Sequence, residues 1–152
     1  MSKWNLCFVG WKMINEFRGK YFFLSNFYIS DVEYEGIIYT NNEAAFQAQK
    51  VTDYRHQQEF WLATPSEAKR LGRSVELRSD WEQIKDEVME DIVRAKFTQS
   101  EELKNKLLAT GDEELIEANT WNDTYWGVCR GRGLNKLGKI LMKVREELKN
   151  GV

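Results

Sequence analysis

The sequence contains a single histidine, His56, and only two cysteines, Cys7 and Cys129. One histidine cannot build a multi-histidine metal site, and any Ser-His-Asp or Cys-His catalytic arrangement would depend on that residue alone. His56 lies in "DYRHQQEFW", which predicts an exposed helix, so we expect a surface role for it. The cysteines form no CxxC pair, which argues against a disulfide framework and favours a reducing, cytoplasmic setting. We therefore expect no bound metal.

Nucleotide-binding loops and long apolar runs are also lacking. There is no GxxxxGK[ST] loop and no GxGxxG turn after a strand, so we predict no cofactor. The apolar N-terminal run "WNLCFVGWKMI", residues 4–14, is too short to span a membrane and predicts a first strand. A formal net charge of -2 leaves no excess of Lys and Arg for avid DNA binding, and it favours a small nucleotide over a nucleic-acid polymer.

Aromatic residues are abundant by contrast. They make up 13% of the 152 residues, and six of them are Trp. Flat side chains can serve as platforms for sugars and bases as well as for packing. Length and composition are those of one folded unit, so we predict a single domain over residues 1–152.

Local patterns predict a mostly helical α+β domain with a few short strands. The segment "ISDVEYEGIIYT" predicts a hairpin from Ile29 to Tyr39, because Gly36 can supply the positive φ of a tight turn. The segment "ELIEAN" predicts a short strand. Apolar residues at helical spacing predict a long helix from Asp80 to Phe97 and a C-terminal helix. The apolar stripes are Trp81, Ile84, Val88, Ile92 and Ala95 in the first, and Leu134, Leu137, Leu141, Val144 and Leu148 in the second.

Three helix starts match the capping-box pattern, in which a Ser or Thr is followed three residues later by Glu. The predicted pairs are Thr40 with Glu43, Thr64 with Glu67, and Ser79 with Glu82. The first would open a helix that runs to about Val51, and Pro65 would occupy the first position of the second.

With those kinds of site excluded, the remaining candidate catalytic groups are carboxylates that lie among aromatic and amide side chains. Glycosidic bonds break through a cation-like sugar whose charge a carboxylate can stabilise. Glu43 shares a helix face with Gln47 and Lys50 at i+4 and i+7, although helix capping alone would also explain a Glu there. Asp123, in "NTWNDTYWG", could act in the same way or could simply close an Asx-turn.

Two indoles, Trp121 and Trp126, flank that polar turn and could sandwich a base or a ribose, or could belong to the core. Glycines at 127, 131 and 133 would let backbone approach a ligand, although turn geometry explains them equally well. The residues alone leave these alternatives open.

Several motifs in this order resemble the NADAR, or YbiA-like, family of N-glycosidases. They are "FLSNFY", "YTNNEAAFQAQK", "EAKRLGR", "DWEQIKDEVM", "KF" and "WNDTYWGVCRGRGLNKLGKILMKVRE", and together they extend from about Glu16 to Leu148. The resemblance implies a compact α+β enzyme, without a redox cofactor, that hydrolyses the bond between ribose and a nitrogen. One branch of the family acts on phosphoribosylaminopyrimidine intermediates of the riboflavin pathway, and another on ADP-ribose attached to guanine bases.

The resemblance also implies site residues. Glu43 or Asp123 would stabilise the developing positive charge while the other positions water, and we favour Glu43 as the principal carboxylate. We expect a base to stack on Trp126 or Trp81, with Asn26 and backbone near Gly131 to Gly133 holding ribose and phosphate. Lys50, Lys96, Arg18 and Arg132 are candidate partners for anions. The remaining predicted contacts are Ser25, Phe27, Trp121, Gly127 and Asn135.

Two positions depart from the commonest family pattern. Ala44 follows Glu43 where many relatives have His, and Leu134 precedes Asn135 where many have Gln. These changes bear on the choice of substrate more than on the type of reaction. A non-catalytic module that binds ADP-ribose or a nucleotide is the alternative function, and a purely structural protein is a third.

Overall fold

The computed structural model describes residues 12–151 of the 152-residue chain. Within that range the chain forms six α-helices, one 3₁₀ helix and six short strands, and the strands associate as three separate pairs. The predicted α+β class is confirmed. In chain order the elements are β1 (Met13–Ile14), the 3₁₀ helix (Gly19–Leu24), β2 (Ile29–Tyr34), β3 (Ile37–Asn41), α1 (Asn42–Ala48), α2 (Tyr54–Gln58), α3 (Pro65–Ser74), α4 (Trp81–Gln99), α5 (Glu101–Ala109), β4 (Glu114–Leu115), β5 (Ala118–Asn119), β6 (Val128–Cys129) and α6 (Lys136–Lys149).

The chain divides into two compact units. One comprises Met1–Ser25 with Lys104–Val152, and the other comprises Asn26–Leu103. The single domain expected over residues 1–152 therefore stays a prediction. None of the helices in residues 12–151 is long and apolar enough to cross a membrane.

The second unit, Asn26–Leu103, is built on the predicted hairpin, which is confirmed. β2 and β3 pair antiparallel around Glu35 and Gly36, whose φ values of 50° and 83° are those of a two-residue turn with left-handed backbone. α4 packs on β2, and α1 packs on β3, α3 and α4. The side chains of Val32 and Tyr39 are fully buried. The hairpin thus supplies a wall against which α1 is fixed.

The start of α1 corrects one predicted capping box. The N-cap is Asn41 rather than Thr40, because the Asn41 Oδ1 accepts a hydrogen bond from the Ala44 N–H at 2.8 Å. Thr40 still belongs to β3, and its hydroxyl donates to the Ala63 carbonyl at 3.3 Å. The helix ends at Ala48 rather than near Val51. Glu43 is consequently not the capping-box partner of Thr40.

The other two helix starts in this unit give one confirmation and one correction. The capping box of Thr64 and Glu67 at the start of α3 is present. At the start of α4 the N-cap is Asp80 rather than Ser79, and Asp80 pairs with Arg78 at 2.6 Å instead of capping backbone N–H groups. The predicted long helix is confirmed, and its apolar stripe faces inward, with Ile92 fully buried.

The first unit contains two strand pairs and α6. β1 pairs with β4 and β5 pairs with β6, both parallel. The first strand was predicted over residues 4–14, of which Met13 and Ile14 form β1. Residues 4–11, which include Cys7, lie outside the described residues. "ELIEAN" forms two short strands, β4 and β5, instead of one. The C-terminal helix is confirmed, except that Leu134 precedes it and is half exposed.

Candidate active site

Glu43 lies in the first turn of α1, in the second unit. Its backbone N–H donates to the Asn26 carbonyl at 3.0 Å, which fixes the start of the helix against the segment before the hairpin. Its carboxylate Oε2 accepts a hydrogen bond from the Gln47 Nε2 at 3.0 Å. Since Asn41 caps the helix, capping no longer explains the acid at position 43. Glu43 is half-buried, and Gln47, one turn further along α1, holds its carboxylate by this hydrogen bond.

Lys50 lies in the turn just after α1 and belongs to a group of cations. Its Nζ lies 3.4 Å from the Gly72 carbonyl of α3. Burial lowers the Lys50 pKa, the nearby Glu43 carboxylate raises it in part, and the positive charges of three other side chains lower it further. Those side chains are Arg73, Lys69 and Lys85. We call Lys50, Lys69, Arg73 and Lys85 the cation cluster. Glu82 pairs with Lys85 at 2.6 Å, so the four cations face two carboxylates, Glu43 and Glu82, and the remaining positive charge favours an anion.

Lys96, on α4, is a lysine with only 3% of its surface exposed. Its Nζ lies 5.5 Å from the centre of the Tyr28 ring and 5.1 Å from that of Phe97. Burial lowers its pKa to about 7 from the ordinary 10.5. Near neutral pH this amine therefore exists in both its charged and its neutral form. An anion that approached it would raise its pKa again and favour the charged form.

The "LSNF" segment is divided between the two units at Ser25 and Asn26. Asn26 is 8% exposed, and its Nδ2 donates to the Met89 sulfur at 3.3 Å. The backbone hydrogen bond described above joins Asn26 and Glu43, and the predicted role of the Asn26 side chain in holding ribose stays a prediction. The Phe27 ring lies 5.8 Å from the Nζ of Lys69, a member of the cation cluster.

Trp81 is packed in the interior of the second unit. It is 5% exposed, and its ring centre lies 5.1 Å from that of Phe46 at an angle of 54°. Little of the ring surface remains for a stacked base, so this geometry favours the packing role over the predicted stacking role.

In the first unit Asp123 forms the Asx-turn that was one of its two predicted roles. Its Oδ1 accepts hydrogen bonds from the Tyr125 N–H at 3.1 Å and the Trp126 N–H at 2.9 Å. Asn119 supports the turn from β5, with its Nδ2 donating to the Asp123 carbonyl at 2.8 Å and its Oδ1 accepting from the Asp123 N–H at 3.1 Å. The Tyr125 and Trp126 rings meet edge to face, 4.9 Å apart. Asp123 thus holds the backbone that carries Trp126.

Substitutions at position 123 can separate this turn from the negative charge. Asp123→Asn keeps an oxygen acceptor, so we expect the free energy of unfolding to stay within about 0.5 kcal/mol. Asp123→Ala leaves two backbone N–H groups without their acceptor and should cost about 1–2 kcal/mol. Urea unfolding measures both, and equal stabilities for the two variants would contradict the turn role. Because the charge is lost in each, similar activities would indicate that the turn matters less than the charge.

The glycines after Asp123 are explained by packing and turn geometry. A Cβ at Gly127 would overlap the Glu117 carbonyl oxygen, and one at Gly133 would overlap the Gly127 carbonyl oxygen. Gly133 also has a φ of 147°, and Gly131 a φ of 74°. Close approach here is between parts of the backbone, which favours the turn explanation over the ligand explanation for these positions.

The remaining predicted residues of the first unit differ in burial. Asn135 is 7% exposed, with its Oδ1 accepting from the Glu117 N–H at 3.0 Å and its Nδ2 donating to the Leu115 carbonyl at 2.9 Å, so it holds the connection between β4 and β5. Trp121 is half exposed, and Arg18 and Arg132 are exposed. Their roles in binding stay predictions.

Some members of the candidate site were not predicted from the sequence. Lys69, Arg73 and Lys85 were missed, although the basic "EAKRLGR" segment was a signal for the first two. His56, in contrast, behaves as expected on the exposed helix α2, where it pairs with Asp53 at 2.9 Å. The described residues contain no group of three or more His, Cys, Asp or Glu side chains that could hold a metal ion.

Comparison with known proteins identifies the family of this chain. The model of the NADAR domain matches residues 13–149. The chain is 42% identical over 128 residues to the N-glycosidase YbiA of Escherichia coli, which covers 82% of this chain and 79% of that protein. It is 38% identical over 133 residues to an N-glycosidase of Nostoc punctiforme, covering 83% and 85%. It is 45% identical over 130 residues to a riboflavin biosynthesis protein of Vibrio vulnificus, covering 83% of this chain and 35% of that protein.

A solved structure is similar as well. The NMR structure of the E. coli protein YbiA matches with a TM-score of 0.81 at 38% identity, covering 93% of this chain and 88% of that one. The family match extends over most of the chain, and the acid, lysine and tryptophan motifs fall inside it. The chain belongs to the NADAR family, and its class of enzyme is the N-glycosidases, hydrolases of N-glycosyl bonds.

Proposed function

We propose that the protein hydrolyses the N-glycosidic bond between a phosphate-bearing ribose and a ring or amino nitrogen of a pyrimidine- or guanine-like base. The substrates in question are phosphoribosylaminopyrimidines, such as occur in riboflavin synthesis, and ADP-ribosyl guanine. The names of the relatives, N-glycosidases and riboflavin biosynthesis proteins, support the first. A reducing, cytoplasmic setting is part of the same proposal, and the buried thiol of Cys129 is compatible with it.

The observation that carries the proposal is an oriented carboxylate on α1 beside the cation cluster, whose members lie just after α1 and on α3 and α4. Glu43 offers a negative charge to an electron-poor sugar, and Lys50 begins a positively charged region less than two turns away. A ribose phosphate needs both a negative and a positive partner, because its anomeric carbon becomes positive as the bond breaks while its phosphate stays negative. A neutral nucleoside would use only the carboxylate.

The reaction balances without a redox partner. The C1′–N bond breaks, and its electron pair leaves with the nitrogen, which takes up a proton. The Glu43 carboxylate stabilises the positive charge that develops on C1′ and its ring oxygen, and a water oxygen then bonds to C1′ and releases a proton. The products are the free base and a ribose phosphate with a reducing end.

Other residues have supporting roles in this proposal. Lys50 and its neighbours in the cation cluster bind phosphate, and Lys96 gives an additional positive charge once an anion is near it. Asn26 holds the start of α1 and hence the backbone of Glu43. In the first unit the assignments stay as the sequence predicts them, with Asp123 as the second carboxylate, Trp126 as the platform for the base, and Trp121, Arg18 and Arg132 as further contacts.

A substrate panel tests the proposal. Purified protein is incubated with a phosphoribosylaminopyrimidine, with the same compound after removal of its phosphate, with NAD and with ADP-ribosyl guanine DNA. Free base and reducing sugar are measured. We expect release from a phosphate-bearing substrate, with kcat/KM at least about a hundredfold lower for the dephosphorylated compound, since charge-assisted contacts are lost. Equal rates with and without phosphate would contradict the role of the cation cluster.

The alternative function is a module that binds ADP-ribose or a nucleotide without cleaving it. Quenching of tryptophan fluorescence that saturates with ligand, with no free base released from any compound of the panel, would favour that module over the enzyme. A purely structural protein would show neither quenching nor release.

A further inference from the structure

Gln47, on α1, has unusual surroundings for an amide. Only 6% of the residue is exposed, and its Nε2 donates to the Glu43 carboxylate at 3.0 Å. Its Oε1 is buried and has no hydrogen-bond partner among the described residues. A buried polar atom left in this way is unfavourable, and an unbranched apolar side chain such as Met would fill the same space without that cost. Of the two polar atoms of the amide, the one with a hydrogen-bond partner is the Nε2 that contacts Glu43.

Gly72, on α3, lies directly against this amide. A Cβ at position 72 would overlap the Gln47 Oε1 and lie 2.7 Å from the Gln47 Cδ. The Gly72 carbonyl is also the group 3.4 Å from the Lys50 Nζ. Glycine inside a helix is less favourable than alanine. At this one point of contact, therefore, α1 has a locally unfavourable Gln and α3 a locally unfavourable Gly. Residues that lower local stability in this way concentrate at functional sites.

We propose that Gln47 and Gly72 are positioning residues that hold the Glu43 carboxylate in its working orientation. Gln47 donates to the carboxylate, and Gly72 provides the space in which the Gln47 amide can lie while it does so. Neither residue contacts the substrate in this proposal. The inference rests on the proposed function of Glu43 and extends it from α1 to α3.

The first test is Gln47→Met, which keeps the length of the side chain and removes the donor. With the panel substrate that the unaltered protein cleaves, we expect kcat to fall about tenfold to a hundredfold while KM changes little. The acid limb of the pH–rate profile should move to higher pH, because the lost N–H donor favoured the charged carboxylate. Gln49→Met is the matched control, since Gln49 is equally buried but donates to the Ala45 carbonyl instead of to a carboxylate.

The second test is Gly72→Ala. Alanine favours the helix by about 1 kcal/mol, but its Cβ must displace the buried Gln47 amide, which costs about 1–3 kcal/mol. We therefore expect a folded protein with a small net loss of stability and a loss of about tenfold or more in kcat. Ser66→Ala, at an exposed position of α3, controls for the change of helix propensity. In the double variant Gln47→Ala/Gly72→Ala, kcat should equal that of Gln47→Ala alone, because Gly72 acts only through Gln47.

A measurement without substrate separates this inference from the proposed function. Carbon-13 NMR follows titration of the Glu43 carboxyl in the unaltered protein and in Gln47→Met. A move to higher pH in the variant supports the inference, and an unchanged titration overturns it whatever the activities. A normally active Glu43→Gln protein would instead overturn the role of the carboxylate itself. Additive losses of kcat in the double variant would overturn the part assigned to Gly72.

Discussion

Replacement of Glu43 with glutamine should lower kcat for N-glycoside hydrolysis by about a thousandfold while the protein remains folded. Glutamine is nearly the same size and can still accept a hydrogen bond from Gln47, but it carries no negative charge to oppose that of the sugar cation. The helix start does not depend on this residue, because Asn41 provides the cap. We therefore expect the free energy of unfolding to change by less than about 0.5 kcal/mol.

Steady-state kinetics with the cleaved panel substrate, together with urea unfolding, measure these two effects. Glu59→Gln serves as the matched control, because Glu59 is an exposed acid of the same unit that lies outside the candidate site. A Glu43→Gln protein that is folded and retains more than about a tenth of the activity would remove Glu43 from the reaction. Loss of activity accompanied by unfolding would show that Glu43 also supports the fold.

The capping boxes show what a local pattern can and cannot determine. Thr64 with Glu67 and Thr40 with Glu43 have the same spacing, yet only the first forms a box. Next to Thr40 stands Asn41, whose Nδ2 donates to the Ala63 carbonyl at 2.9 Å while its Oδ1 caps the helix. That contact joins residues 22 positions apart. A pattern of four residues cannot reveal a contact over that distance. The helix was therefore predicted correctly, but its start was predicted one residue too early.

The candidate site divides in the same way. The helical period was sufficient to place Glu43 and Gln47 on one side of α1, since they are one turn apart. Lys50 lies two residues beyond the end of α1, and the turn after the helix determines its position. The convergence of Lys69, Arg73 and Lys85 on Lys50 depends on how α3 and α4 pack on α1, which no local pattern contains. Gly72 could not be identified either. The proposed role depends on its lack of a Cβ, and that matters only because α3 packs against the Gln47 amide.

Trp81 and Asp123 illustrate a different difficulty, because each satisfied two predictions at once. Trp81 belonged both to an apolar helix stripe and to the family motif, and its burial against Phe46 favours the first. Asp123 was either a turn residue or a carboxylate of the site, and its Oδ1 forms the turn. One carboxylate oxygen that binds backbone does not prevent a role for the charge, so the second prediction stays open to the Asp123→Asn experiment.

Replacement of Lys96 with methionine should stabilise the protein while weakening substrate binding. Burial lowers the pKa of Lys96 to about 7, whereas in the unfolded chain it is near 10.5. Below pH 7 the native protein must bury a charge. Between about pH 7 and pH 10.5 the unfolded chain binds the proton and the native site releases it, so this residue makes stability rise with pH. The full penalty at low pH is on the order of 5 kcal/mol, and methionine removes it.

The difference in unfolding free energy between Lys96→Met and the unaltered protein should therefore be largest at or below neutral pH and should shrink toward pH 10. Urea unfolding at a series of pH values measures it, with Lys139→Met, at an exposed position of α6, as the control that should show no such trend. A difference that stays constant with pH would contradict the buried charge. If Lys96 also meets the anion of the substrate, KM in Lys96→Met should rise at least about tenfold, because a charge-assisted contact is lost. A variant that gains stability and keeps its KM would remove Lys96 from substrate binding.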